Sequence, residues 1–419
     1  MSVLISLMFM MSLALVVLPG SVYGLLARGL ITGASILTLA GLGSSGWRIN
    51  HAERRWLVLG MTYVICGVFS TMDSSRPELG WLDAARQAFM VATTFVLMVH
   101  FRRMGNSRVF RKLLVIPALI GAITLIGGFL LIMGPPSPAN LMEFAAYKFE
   151  MDARYGLNPN PLSFAMLLAF VLNWQGYGRR WWFYPYSLTV LLALVLSGAL
   201  TSILALGVAG GIAWLLRRPP SKMVVLFMLP IAALAFVAGA TILDDQALLQ
   251  ALYWLSDVTT GRSELWSGAL AKFMDKPFLG WGALTWDTDL TRYLTLYSSN
   301  LERFTSLDSG AFHNAYLTIL TEKGLLGFSV SMIMLIYVLR ASLWLFWKRQ
   351  QLHGDDRLVA ALAPTWVLLL VVRGLSEHGG LLGYANGGVD FMAYAGAALV
   401  LAASVRSNTM QRTKREVTC

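Results

Sequence analysis

The chain has 419 residues, 57% hydrophobic and only 13% charged, about half the charge content of a soluble domain. Apolar runs of about 20 residues, long enough to cross a bilayer, recur along it, and a soluble globular class is excluded. The formal charge of +11 raises the question of nucleic acid, but the positions of the charges assign it to membrane topology instead.

In chain order, spans are predicted near 3–18, 22–43, 56–71, 83–101, 113–134, 161–176, 182–198, 200–216, 223–242, 326–346, 358–374 and 388–405. The first, VLISLMFMMSLALVV, lacks a basic start and a small-residue cleavage site, so it reads as a retained span rather than a signal peptide. With the N-terminus in the cytoplasm, most of the 33 Lys and Arg fall on the cytoplasmic side: Arg48, Arg54 and Arg55, then Arg102, Arg103, Arg108, Arg111 and Lys112. Arg179, Arg180, Arg217, Arg218, Lys222, Lys348, Arg349 and Arg357 follow, and the tail adds Arg406, Arg412, Lys414 and Arg415. The short outer connections near 19–21 and 198–200 carry none. By the positive-inside rule both termini are cytoplasmic. The two cysteines, Cys66 and Cys419, offer neither a disulfide nor a thiolate metal site.

The expected fold is therefore an all-α polytopic membrane protein with about 12 transmembrane helices. Residues 1–242 would carry the first nine spans. Residues 243–312 would form a large outer loop, and 313–419 an outer helix, the last three spans and a cytoplasmic tail. A second outer connection runs from about Gly134 to Asn160. Long loops in a compact protein are usually functional, and polar backbone approaches a membrane only where protein or a wet cavity covers it. The large loop is thus expected to fold onto the bundle and roof a cavity.

Inside that loop, TTGRSELWSGALAKFMDKPFLGWG reads as a helix capped by Thr260, with Leu265, Trp266, Ala269, Leu270 and Phe273 on one face. Lys276-Pro277, Gly280 and Gly282 end it. Arg262 is anomalous, because a cation in the first turn opposes the helix dipole. A guanidinium beside free backbone amides suits a bound anion such as phosphate. An exposed arginine, or one paired with Glu264, is the plainer alternative.

The stretch SGAFHNAYLTILTEKGLLG follows. A continuous helix from His313 to Trp347 would be about 52 Å long, more than a bilayer core of about 30 Å. Asn314 to Lys323 is therefore predicted outside or at the interface, with a break at Gly324. His313 at the helix N-terminus would be kept neutral by the dipole, as a general base must be; the plainer alternative is a histidine that only caps a helix. Arg154 precedes Asn158-Pro159-Asn160, a turn suited to a cavity rim, or is a loop charge. Arg373 sits in RGLSEHGG with Glu377 and His378; it is a functional candidate by depth, or a snorkelling span end. Asp287-Thr288-Asp289 is a DxD triplet without a second ligand cluster, and no metal or other cofactor is assigned to it.

His313-Asn314, nine residues, then Gly324-Leu-Leu-Gly327 resembles the signature of O-antigen ligases. GRSELW…KPFLGWG and RYGLNPNPLS, Arg154 to Ser163, are similar to segments of the wider O-antigen ligase and polymerase superfamily. The resemblance covers roughly residues 150–400 and implies a GT-C-like glycosyltransferase of the bacterial inner membrane, with its site facing the periplasm. Its donor would be a glycan on undecaprenyl diphosphate and its acceptor a sugar hydroxyl of lipid A–core. Neither metal nor nucleotide sugar is implied, and the membrane lipid would surround both tails.

In that scheme Arg262 holds the diphosphate, His313 orients or deprotonates the acceptor, and Asn314 positions a sugar. Members commonly carry a further Arg at the outer start of a later span, but Leu200 stands here; Arg154 and Arg373 are the candidates to replace it. An O-antigen polymerase using the same donor is the alternative within the class, and a lipid-linked glycan flippase the alternative outside it.

Overall fold

The computed structural model describes residues 49–104, 107–137, 158–177, 181–215, 265–283, 285, 312–375, 377 and 387–418, with isolated positions between 30 and 40 and between 140 and 154. These residues are helices and turns, with no strand among them. The helices are α1 (His51–Met72), α2 (Pro77–Met104), α3 (Ser107–Leu113), α4 (Val115–Met133), α5 (Pro159–Tyr177), α6 (Phe183–Leu196), α7 (Leu200–Leu215), α8 (Ala315–Lys348), α9 (Gly354–Gly374) and α10 (Gly387–Thr418). A further helical stretch, the loop helix, covers 265–275.

Five helices among the described residues are long and apolar enough to cross a membrane: His51–Met72, Pro77–Arg103, Arg108–Met133, Ala315–Gln351 and Gly354–Gly374. Three shorter apolar helices lie at Pro159–Asn173, Phe183–Leu196 and Thr201–Ile212. Each predicted span from 56–71 to 200–216 and from 326–346 to 388–405 falls on one of these helices or on α10. Spans 3–18 and 223–242 lie outside the described residues, as does most of 22–43.

The bundle is arranged around α5, which is buried at every residue from Leu162 to Asn173 and packs against α3, α4, α6, α9 and α10. Peripheral helices turn apolar side chains outward. On α1, Val58, Met61, Ile65 and Phe69 form an exposed stripe at helical spacing, while Trp56 and Tyr63 are fully buried. In water such a stripe would be a liability; against hydrocarbon it is the solvated face.

Ion pairs tie the helices together at one end. Glu53 completes a capping box with Asn50 and accepts from Arg102 Nε at 2.6 Å. Arg406 pairs with Asp356 and donates to the Phe101 carbonyl, and Arg111 pairs with Asp355. Each of these largely buried carboxylates thus meets a guanidinium, as the cost of leaving one unpaired requires. This basic end is opposite the end at which α8 begins.

At that opposite end α8 breaks. Gly324 has φ 62° and ψ −169°, a conformation that is essentially glycine's alone. The helix loses the rungs from Leu325 N to Thr321 O and from Leu326 N to Glu322 O. The turn after the loop helix fills the gap. Leu325 N donates to Pro277 O at 2.8 Å and Leu326 N to Phe278 O at 3.3 Å, while Trp281 N donates to Thr321 O at 3.0 Å and Gly282 N to Glu322 O at 2.9 Å. All four orphaned groups are satisfied by one segment, and the fit is close: a Cβ on Gly280 would overlap the Glu322 carbonyl, and one on Gly324 the Phe278 carbonyl.

Two lysines secure this latch. Lys323, 2% exposed, pairs with Asp83 at 3.0 Å and lies 4.2 Å from the Tyr63 ring centroid, joining α8 to α1 and α2. Lys276 donates to Asp73 Oδ2 at 2.5 Å and to Asp73 O at 3.1 Å. That contact holds the exposed Asp73 carboxyl below its usual range, so its small contribution is present at neutral pH and fades as acid protonates the carboxylate.

The buried face of the loop helix differs from the one read in the sequence. Leu265, Gly268, Ala269 and Lys272 point inward, and Leu270 is 47% exposed. The reason is Lys272, fully buried, whose ammonium donates to the Thr285 carbonyl and lies 5.3 Å from the Trp281 ring centroid. That contact turns the helix so that Leu270 faces out.

Gly324→Ala is expected to lower the apparent Tm of the purified protein by several degrees and to expose 277–282 to protease. An unchanged Tm and digestion pattern would mean that the latch does not hold the loop.

Candidate functional site

The site lies where the loop meets the start of α8. Phe312 is fully buried and clusters with Leu265 and Ala269 of the loop helix, with Trp266 and Leu317 packed alongside. Trp266 Nε1 donates to the Phe312 carbonyl at 3.1 Å, and Thr321 Oγ1 to the Ala269 carbonyl at 3.2 Å. The loop helix therefore lies along the first turns of α8, on the N-terminal side of the latch.

His313 has φ 48°, the left-handed region that few non-glycine residues occupy. Asn314 then runs extended and caps α8: its Oδ1 accepts from Tyr316 N at 3.0 Å and Leu317 N at 3.1 Å. Its Nδ2 donates to the Leu375 carbonyl at 3.1 Å, tying the cap to the segment after α9. Ala315 N donates to Glu377 O at 3.0 Å and Thr318 N to Asn314 O at 2.9 Å. The first-turn amides of α8 are all engaged, so this helix start offers no amide cradle for an anion. A negative charge bound nearby would have to be met from outside the start of α8.

Glu377 faces the histidine. Its Oε2 lies 3.4 Å from His313 Nδ1, and the side chains are 5% and 18% exposed. An ionised carboxylate only accepts, so beside an ionised Glu377 the proton sits on Nδ1 and a neutral imidazole keeps its lone pair on Nε2. That is the tautomer a general base or a hydroxyl-orienting group needs.

One turn earlier, Arg373 is 3% exposed and its guanidinium lies 4.1 Å from the Phe164 ring centroid. Phe164 belongs to α5, whose first turn carries Asn158 and Asn160. Asn160 N donates to Asn158 Oδ1 at 3.0 Å, Ser163 Oγ donates to Asn160 O at 2.8 Å, and Ser163 meets Ser202 of α7 at 3.4 Å. The starts of α5, α7 and α8 and the end of α9 thus converge at one end of the bundle.

Of the residues singled out in the sequence, His313, Asn314, Glu377 and Arg373 come together here. Asn158 and Asn160 stand at the start of α5, the helix that carries Phe164. Arg154 is exposed and pairs with Glu150 at 2.5 Å, and none of its described contacts joins it to His313. Arg262, Glu264, His378 and the 287–289 triplet lie outside the described residues. Phe164 under Arg373 and the buried Lys272 carry no signal in the sequence, since an aromatic in an apolar span and a lysine on an amphipathic helix look ordinary. Among the described residues no group of three His, Cys, Asp or Glu is placed to hold a metal.

Residues 185–332 match the family model Wzy_C, O-antigen ligase. The match supports a place in the O-antigen ligase and polymerase superfamily. No curated protein matches it. The matched stretch runs from α6 into α8 and takes in the loop helix, the latch, His313 and Asn314, whereas Arg373 and Glu377 lie beyond it. The family that the chain matches suggests a glycosyl-transfer enzyme of O-antigen or polysaccharide assembly.

Asn314→Ala is expected to remove the cap, at about 1 kcal/mol, and to strand the Leu375 carbonyl. It should lower the Tm measurably, while Asn314→Asp, which keeps the acceptor, should recover most of the loss. Equal Tm values for all three proteins would contradict the capping role.

Proposed function

We propose that this protein is an O-antigen ligase, transferring a glycan from undecaprenyl diphosphate to a sugar hydroxyl of lipid A–core on the periplasmic face of the inner membrane. The observation that carries the reading is the His313–Glu377 pair, set beside the loop helix that begins three residues after Arg262. The basic end of the bundle, rich in Arg and Lys, would then face the cytoplasm with both termini.

In the reaction, the acceptor oxygen attacks the anomeric carbon of the glycan. The carbon–oxygen bond to the diphosphate breaks, and undecaprenyl diphosphate departs with the bonding electrons. The acceptor proton passes to Nε2 of His313, whose new positive charge faces the Glu377 carboxylate. Arg262 holds the diphosphate and stabilises the charge that grows on it. Because α8 has no free amides to share in this, a second cation is required. Its burial and its place one turn before Glu377 favour Arg373 over the exposed Arg154. Asn158 and Asn160, at the exposed start of α5, suit contacts with sugar hydroxyls.

The test is reconstitution of the purified protein with a polyprenyl-diphosphate glycan and lipid A–core, with product resolved by gel. A ligase caps the acceptor in one step; lengthening of the donor alone would assign a polymerase instead. Arg262→Ala and His313→Ala are expected to abolish transfer at normal abundance, and chelator to leave it unchanged. Glu377→Gln should lower kcat, by less than His313→Ala does, with little change in Tm. Full activity of any one variant removes that residue from the mechanism.

A further inference from the structure

At the basic end of the bundle, far from His313, a cavity of about 220 Å³ opens between α3 and the start of α9. Its walls are Arg108, Arg111, Lys112, Gly354, Asp355 and Leu358. The catalytic scheme uses none of them.

Charge limits what fits. Three cations face one carboxylate, and that carboxylate, Asp355, already accepts from Arg111. Arg111 itself is 2% exposed; its guanidinium donates to Asp355 and to the Leu172 carbonyl, and its Nε meets no acceptor among the described residues. Such a donor at a cavity wall calls for an acceptor, because a buried guanidinium nitrogen left unmet is costly. The start of α9 adds to this. His353 stands at the N-cap without a capping side-chain bond, so only the first-turn carboxylates of Asp355 and Asp356 meet the positive end of this 21-residue helix. Gly354, with φ 56°, leaves open space where a Cβ would be. An anion with several acceptor oxygens meets all of these donors.

Position identifies its source. The cavity lies where the spans Arg108–Met133 and Gly354–Gly374 begin and just after Pro77–Arg103 ends, which is the depth of lipid headgroups. Leu358 makes part of the wall, and Val109 on α3 is 38% exposed, giving the group an apolar border. We infer that this cavity binds the phosphate of an anionic phospholipid headgroup, fixing α3 and α9 to the surface of one leaflet. Basic pockets between membrane helices recognise such headgroups by the same electrostatics.

The experiment uses the full-length protein in a neutral detergent. Tm is measured with added phosphatidylglycerol, with phosphatidylcholine, and with millimolar inorganic phosphate, and native mass spectrometry counts retained phospholipid. Phosphatidylglycerol is expected to raise Tm by several degrees more than phosphatidylcholine, with no shift from phosphate, and to stay bound in the spectrometer. Arg108→Gln with Lys112→Gln should lose most of the difference. Should that pair fail to fold, Arg108→Gln alone, at an exposed position, must still weaken it. Equal shifts from the two lipids, a full shift from phosphate alone, no retained anionic lipid on the parent, or an unaltered response in the variants would each overturn the assignment. None of these outcomes bears on the glycosyl-transfer reading.

Discussion

Everything at the reactive end depends on how a broken helix is repaired. Gly324 removes two rungs from α8, and the turn 277–282 supplies the four missing partners from outside. In water such groups would find solvent. At the edge of a bilayer each unmet one costs several kcal/mol, so the break and the turn stabilise one another and neither is tolerable alone. The two segments that resemble the superfamily's loop and histidine motifs are thereby a single structural unit, although some 30 residues of chain separate them.

That unit sets the chemistry available to the site. The loop helix is laid along the first turns of α8, with Trp266 bonded to Phe312. His313 emerges there in a left-handed conformation, against a carboxylate from beyond α9. Asn314 consumes the helix's amides, so this helix end does not serve as an anion cradle. In the proposed reaction a carboxylate fixes the histidine tautomer, while cations from other elements meet the leaving diphosphate.

Much of this was legible in the sequence, and the rest was hidden for identifiable reasons. The break at Gly324 followed from helix length against bilayer thickness, and the spans followed from hydropathy. The pairing of His313 with Glu377 was not derivable, because 63 residues and two helices lie between them. The loop helix was turned wrongly because Lys272 counts as polar by type. Its ammonium is satisfied by the Thr285 carbonyl and by Trp281, so it is buried while Leu270 is not. Asn314 read as a sugar contact, yet its amide groups are committed to α8 and to Leu375.

The claim on which the account rests is that Arg262 and His313 act on one lipid diphosphate under the latched loop. Cryo-electron microscopy of the protein with undecaprenyl diphosphate bound tests it most directly. The account predicts diphosphate oxygens within hydrogen-bonding distance of the Arg262 guanidinium, on the same side of the bundle as the His313 imidazole. Diphosphate held elsewhere, or Arg262 and His313 on opposite faces of the bundle, would contradict it.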